Sequence, residues 1–270
     1  MSTLIDERVD EVLRDRLEVA SEPVLVVDPS VTVIEELVDI TIRMDDPPTV
    51  RLLADESTIK DVLEDFLVAS NAADLVESGA LSIRTAEVSP GNELVVTEDE
   101  LTALVVAGGN LAALSTDDSE FVDSAYDHYD DVWEDSEEYT LRTPPLSRVR
   151  ETLREEIGDD AESDFEAVLE SLETARGDGE GLDEVTISLL VAAKNEELLY
   201  DISKWGEDVG IASKATFSRT KTRLEDFGLI DTEKVPIDVG RPRLRLKFAN
   251  GRLRDATADD LASVAQSLMT

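Results

Sequence analysis

The sequence predicts an α/β domain built on a mixed sheet, followed by a smaller α+β domain of helices and a two-stranded ribbon. Three observations carry this reading. Short apolar runs such as Val24-Leu25-Val26-Val27 alternate with segments of helical spacing through the first half, the order of a sheet with helices on its faces. Pro144-Pro145 and the run Gly177-Asp178-Gly179-Glu180-Gly181 then break the chain. They set a first domain over 1–143, a helical linker over 144–181 and a second domain over 182–270. Charge also reverses sign: between Lys214 and Arg254 there are 11 Lys or Arg against 5 Asp or Glu, while the remaining residues carry 14 against 58.

Taken in order, Leu4, Ile5, Val9, Val12, Leu13 and Leu17 lie near helical spacing and predict an amphipathic docking helix over 1–17, not a secretory leader. Residues 23–28 read as a buried strand, 31–43 as a helix behind Ser30, 50–54 as a strand, and 57–77 as one long helix. Further strands are expected at 81–85, 93–97, 101–107 and 111–115, the last two joined by a hairpin at Gly108-Gly109-Asn110. A helix over 117–134 would be capped by Ser115 or Thr116. Charged helices at 147–157 and 164–176 would join the domains or pair between subunits.

The chain has 270 residues, a formal charge of −38 and 41% apolar residues, enough for two ordinary cores. Its 63 acidic residues run from Asp6 to Asp260, and Lys accounts for 7 of its 25 basic residues. Acidic excess with scarce Lys is the surface of a protein that stays hydrated in molar salt, so a halophilic, cytoplasmic protein is expected. With no cysteine, disulfides and thiolate metal sites are excluded. The longest weakly polar run, Leu101 to Leu114, is broken by Gly108, Gly109 and Asn110 and is too short to span a bilayer.

In the second domain, 183–194 and 198–208 have the spacing of amphipathic helices that bury Val185, Leu189, Leu190, Ala193, Leu199, Ile202 and Trp205. Gly210 permits a sharp turn, Ser213 is a good N-cap, and a third helix runs on through Phe227 to stop at Gly228. At 100° per residue, Phe217, Thr220, Leu224 and Phe227 share one side, with Ala215, Ser218, Arg219 and Thr222 opposite. Small residues around one guanidinium suit close approach to base edges, where Arg bonds guanine in bidentate fashion. Lys214, Thr216 and Arg223 flank that face and would reach phosphates. Arg243-Leu244-Arg245-Leu246-Lys247-Phe248 alternates, which predicts a ribbon strand with Leu244, Leu246 and Phe248 inward and the cations in solvent. A final helix is expected to open at Thr257-Ala258-Asp259-Asp260.

The run Gly210-Ile211-Ala212-Ser213-Lys214-Ala215-Thr216-Phe217-Ser218-Arg219, followed by Leu224 and Gly228-Leu229-Ile230, resembles the winged helix-turn-helix regulators of archaea and bacteria. Gly240-Arg241-Pro242-Arg243 is similar to their wing tip. The resemblance implies double-stranded DNA as partner, with Ser213, Lys214, Ala215, Thr216, Ser218, Arg219, Thr222, Arg223, Arg241, Arg243 and Arg245 at the interface. The order of an acidic α/β domain before a C-terminal winged helix also resembles the haloarchaeal TbsP family, suppressors of the sugar-responsive regulator TrmB. That implies a transcription factor acting on gluconeogenic genes. The competing reading is an adaptor that uses a winged helix for protein contacts without DNA.

Enzyme signatures are poor. His128, the one histidine, stands among aspartates, and neither a phosphate-binding glycine loop nor a nucleophile elbow is present. No catalytic, metal or cofactor site is expected. The strand and helix order resembles effector domains related to the phospholipase D fold, yet the His-x-Lys motif of that fold is missing. Sensing or homodimer formation remains as the role. A small-molecule effector would sit where strands end and helices begin, near Asp28, Ser30, Asp55, Ser57, Thr58, Ser115, Thr116 and Asp117.

Overall fold

The computed structural model describes residues 2–5, 8–21, 23–86, 91–107, 110–174, 182–236 and 242–269. Residues 1–145 and 146–270 pack as two units. The first runs β1 (Ser2–Ile5), α1 (Val9–Val19), β2 (Val24–Val27), α2 (Val31–Ile42), β3 (Val50–Ala54), α3 (Glu56–Val62), α4 (Phe66–Ser78), β4 (Leu81–Thr85), β5 (Glu93–Val96), β6 (Leu101–Ala107), β7 (Asn110–Thr116), α5 (Ser119–Asp135) and β8 (Glu137–Glu138). Its strands form one eight-stranded sheet in the order β1-β7-β6-β5-β2-β3-β4-β8. The trio β2, β3 and β4 is parallel, and all other pairings are antiparallel.

Period two divides the buried strand residues between two cores. Val24 and Val26 face the helices α1 to α4, while Leu25 and Val27 face α5. That is why β2 reads as an unbroken apolar run. On the α5 side, Arg51 and Arg84 approach the Trp133 ring at 5.6 and 4.8 Å from its centroid, and Arg51 also pairs with Asp130 at 2.5 Å. Two guanidiniums thus pin an otherwise very acidic helix to the sheet.

Several expectations are corrected. Residues 2–5 are not helical: they pair with β7 from Ser2↔Ser115 to Ile5↔Ala112. Without them β7 would be an edge with unpaired backbone groups, and the apparent helical spacing had merged a strand with the helix behind it. The long helix expected over 57–77 is two, because the Asp65 carboxylate accepts from Leu67 N and Val68 N at 2.8 and 3.1 Å and starts a new helix. Asp118, not Ser115 or Thr116, caps α5 by accepting from Phe121 N at 3.1 Å. The hairpin glycines 108 and 109 lie outside the described residues.

The second unit runs α6 (Leu146–Glu156), α7 (Asp159–Thr174), α8 (Glu184–Lys194), α9 (Leu199–Val209), α10 (Lys214–Asp226), β9 (Ile230–Val235), β10 (Arg243–Phe248), α11 (Gly251–Arg254) and α12 (Ala258–Met269). Helix α8 is its centre, with every residue from Val185 to Ala193 buried. The two helices expected in a linker over 144–181 pack within this unit. Val149, Leu153, Phe165 and Val168 are buried, and the indole of Trp205 in α9 donates to Thr152 Oγ1 of α6 at 3.0 Å. The apolar stripe of α12 also turns inward, burying Leu261 and Ala265. Residues 177–181 lie outside the described residues.

Glu162 shows how α6 and α7 are held. Its side chain is 7% exposed and accepts from Arg150 Nε at 3.2 Å and Arg154 Nη2 at 3.0 Å. Burial pushes its carboxyl up, and the two guanidinium bonds more than offset this, so it titrates below the ordinary glutamate range. A depressed carboxylate contributes stability that is present above its unfolded pKa and is lost as pH falls through the folded one. Glu162→Gln is therefore expected to cost about 1–3 kcal/mol at pH 7, with the gap to the parent closing as pH is lowered below about 4. Urea unfolding across that range measures it, and a gap constant with pH would refute the assignment.

Candidate nucleic-acid interface

Helix α9 ends at Gly210, whose φ of 99° is the left-handed conformation that glycine adopts without strain. Gly206, one turn earlier, accepts at its carbonyl from the N–H groups of Gly210, Ile211 and Ala212. A Cβ on Gly206 would overlap Cζ and Cε2 of Phe217, so the absent side chain is what lets α10 cross so close to α9. Ser213 caps α10, accepting from Thr216 N at 3.2 Å. Phe217 and Leu224 are fully buried and Thr220 nearly so. Phe227, expected on the inner side, is 48% exposed, because the helix has ended there and the chain turns at Gly228, φ 70°.

Ala215, Ser218, Arg219 and Thr222 lie exposed on the opposite side of α10, the face the helical wheel predicts. Among the described residues, the hydrogen bond that Arg219 makes is to Thr216 Oγ1, at 3.3 Å. Its flanking cations differ. Lys214 Nζ pairs with Glu207 Oε2 at 2.5 Å, and its backbone N–H donates to Glu207 Oε1 at 3.2 Å. Those two bonds hold the Glu207 carboxyl below its ordinary range. Arg223 donates to Asp183 Oδ2 at 3.1 Å and Thr186 Oγ1 at 3.2 Å.

The ribbon pairs β9 and β10 antiparallel from Arg243↔Val235 to Phe248↔Ile230. Leu198 bridges Arg245, and Leu246 N donates to Glu197 O at 2.8 Å, which adds a stub of third strand ahead of α9. Leu246 and Phe248 are buried, but Leu244 and the cations Arg243, Arg245 and Lys247 are half-buried rather than free in solvent. Arg243 in particular lies 3.7 Å from the centroid of the Tyr200 ring and donates to Asp201 Oδ1 at 3.1 Å. The alternating pattern identified the strand but not this pairing, since both partners come from α9. Arg241 lies outside the described residues.

The eight candidate effector residues do not form one group. Asp28, Ser30, Asp55, Ser57 and Thr58 gather where the adjacent parallel strands β2 and β3 end. There Asp55 caps α3 through Ser57 N at 2.7 Å, Ser30 donates to Glu93 Oε2 at 3.3 Å, and burial together with Asp55 pushes the Asp28 carboxyl up. Ser115 and Thr116 end β7, with Asp117 just after it, and β7 runs the other way, so they lie at the opposite end of the sheet. Ser115 is buried there in bonds with Thr102 and Arg16. His128 makes an edge contact with Tyr129. Among the described residues no cluster of His, Asp or Glu could hold a metal ion, and no helix is long and apolar enough to cross a membrane.

A helix-turn-helix of α9 and α10 with a β9-β10 ribbon behind it defines the second unit as a winged helix-turn-helix domain. Residues 145–266 match the family model for the C-terminal helix-turn-helix domain of TbsP-like transcriptional regulators, and residues 1–144 match that for their N-terminal domain. The chain belongs to the TbsP-like transcriptional regulators.

No curated protein sequence matches the chain. Solved structures similar to it include TrmBL2, described as an archaeal chromatin protein with a novel mode of DNA binding, at 11% identity and a TM-score of 0.37 over 52% of this chain. The match takes in 54% of TrmBL2, so the chain spans about half the length of that relative. Nuc from Salmonella typhimurium, described as a phospholipase D family member, and NucT from Helicobacter pylori each match 51% of this chain. They do so at 12% identity, with TM-scores of 0.37 and 0.38, over 97% and 98% of their own lengths. Likeness at that level says nothing about this chain's chemistry.

Proposed function

We propose that this regulator reads promoter DNA by sequence, with Arg219 as its base-reading side chain. The exposed face of α10 carries the proposal: three small residues around one guanidinium that no carboxylate holds among the described residues. Ser213, Lys214, Thr216 and Arg223 would set the helix against phosphates, and Arg241, Arg243 and Arg245 would do so from the wing. The acidic composition and the family resemblance support a haloarchaeal, cytoplasmic protein that controls genes of central carbon metabolism. The first unit serves for pairing and for response to a metabolite. Chromatin immunoprecipitation with sequencing tests the reading. Sharp promoter peaks sharing an inverted repeat support it, whereas background signal with co-purifying proteins favours an adaptor.

A single winged helix makes too few base contacts for genome-scale specificity, so the protein is expected to act as a two-fold dimer. Its half-sites would lie about 10–11 base pairs apart, centre to centre. Light scattering in molar KCl should return twice the chain mass of 29.6 kDa, and a monomer both free and on DNA would refute the arrangement.

A further inference from the structure

Three of the cations expected on phosphates differ in one respect from the cation expected on bases. Lys214, Arg223 and Arg243 are each bonded to a carboxylate, of Glu207, Asp183 and Asp201 respectively. Among the described residues, Arg219 has no such partner. All three carboxylates come from α9 or from the start of α8, and two are fixed independently of their cation. Asp183 caps α8 by accepting from Thr186 N at 2.6 Å, and Glu207 accepts from the backbone N–H of Lys214. They therefore stay in place when the cation moves away.

The side chains in these pairs are between 32% and 52% exposed, and pairs so exposed contribute little to folding stability. They do, however, present any approaching DNA with anions that already hold its counter-charges. We propose that Glu207, Asp183 and Asp201 are specificity-determining residues that compete with DNA phosphate for Lys214, Arg223 and Arg243. This rests on the DNA-binding reading given above.

The ion exchange makes the consequence concrete. Each phosphate that a protein cation neutralises releases about 0.9 of a condensed counterion, which is the source of nonspecific affinity and of its loss with salt. Here each cation delivered to phosphate leaves a carboxylate that takes a potassium ion from solvent, and the net release from these contacts falls towards zero. Random duplex gains little from the three positions. Hydrogen bonds from Arg219 to the correct base face no competing carboxylate and add in full. Discrimination thus comes from weakening the shared contacts rather than from multiplying the specific ones.

The test compares the full-length protein with the triple variant Glu207→Gln, Asp183→Asn, Asp201→Asn. Each replacement keeps an oxygen in place for the backbone bonds. A charge-matched control carries Glu151→Gln, Glu155→Gln and Glu170→Gln, all exposed on α6 and α7. Fluorescence anisotropy on a mixed-sequence duplex, from about 0.2 to 2 M KCl, gives affinity and salt slope, and circular dichroism verifies the fold at each salt. The triple variant is expected to bind about tenfold tighter at the lowest salt, with a slope steeper by about 2–3, while the control stays near the parent.

A triple variant equal to the parent or to the control overturns the inference and leaves DNA binding standing. So does a rise in affinity with no change of slope, which would mean that the carboxylates repel DNA without being exchanged. If neither parent nor variant binds any duplex at the lowest salt, the DNA-binding reading falls and the inference with it.

Discussion

Arg219→Ala is expected to lower affinity for the operator by roughly 5- to 150-fold while leaving affinity for random duplex nearly unchanged. One bidentate Arg–guanine contact contributes about 1–3 kcal/mol of discrimination, and the conversion to fold-change follows from that. The fold should not be affected, because Arg219 is exposed and its hydrogen bond among the described residues, at 3.3 Å, is to Thr216 in the same helix. Arg219→Lys is the sharper control: a lysine keeps the charge but cannot bond guanine through a planar fork. It should match the parent on random duplex and still fail to recover operator preference. The measurement is a competition between the two duplexes for alanine, lysine and parent proteins. Unchanged operator preference in Arg219→Ala would show that another residue reads the base.

Gly206→Ala is expected to destabilise the second unit by about 1–3 kcal/mol, the range for forcing extra atoms into a packed core, and to abolish DNA binding beyond what that loss explains. A new methyl group would overlap Phe217, whose ring is fully buried and cannot swing into solvent. Relief comes only by separating α10 from α9, which displaces the Arg219 face. The same collision supplies its own check. Phe217→Leu shortens the ring's reach, so the double variant should be less damaged than the sum of the single ones, a coupling of about 0.5–3 kcal/mol for residues in contact. Urea unfolding of the four proteins gives the cycle. A Gly206→Ala variant within about 0.5 kcal/mol of the parent would mean that the helices part at no cost.

The local signals in this chain were strong wherever a pattern was carried by neighbours in sequence. The bounds of β3, β4 and β6 follow from apolar runs between turn residues, and Ser213 announces the start of α10 because a hydroxyl three residues ahead of a helical N–H is a short-range bond. The wheel of α10 places Arg219 and its small neighbours outward, since 3.6 residues per turn depends on nothing beyond the helix itself. Signals failed where two elements of different period abut. Leu4 and Ile5 belong to a strand, yet they stand at helical spacing from Val9, and only the need of β7 for an edge partner separates them. The apolar spacing runs on through Asp65, and only its bonds to Leu67 N and Val68 N show that a second helix starts there.

What the sequence by itself determined is therefore the kind of protein this is: an acidic α/β unit before a winged helix, with one face of one helix left bare around Arg219. Tertiary structure alone decided the state of the charges around that face. Glu207 is seven residues from Lys214, but Asp183 is 40 from Arg223 and Asp201 is 42 from Arg243. Among 63 carboxylates no spacing rule selects those partners. It also decided that α6 and α7 belong to the second unit, through Trp205 on Thr152 and the Glu162 pair, and that five effector candidates stand apart from the other three. The physical reason is common to all of these. Hydrophobic period and helix capping act over a few residues, whereas ion pairs and strand ends meet only after the chain has closed loops of tens of residues, and sequence distance does not record which loops close.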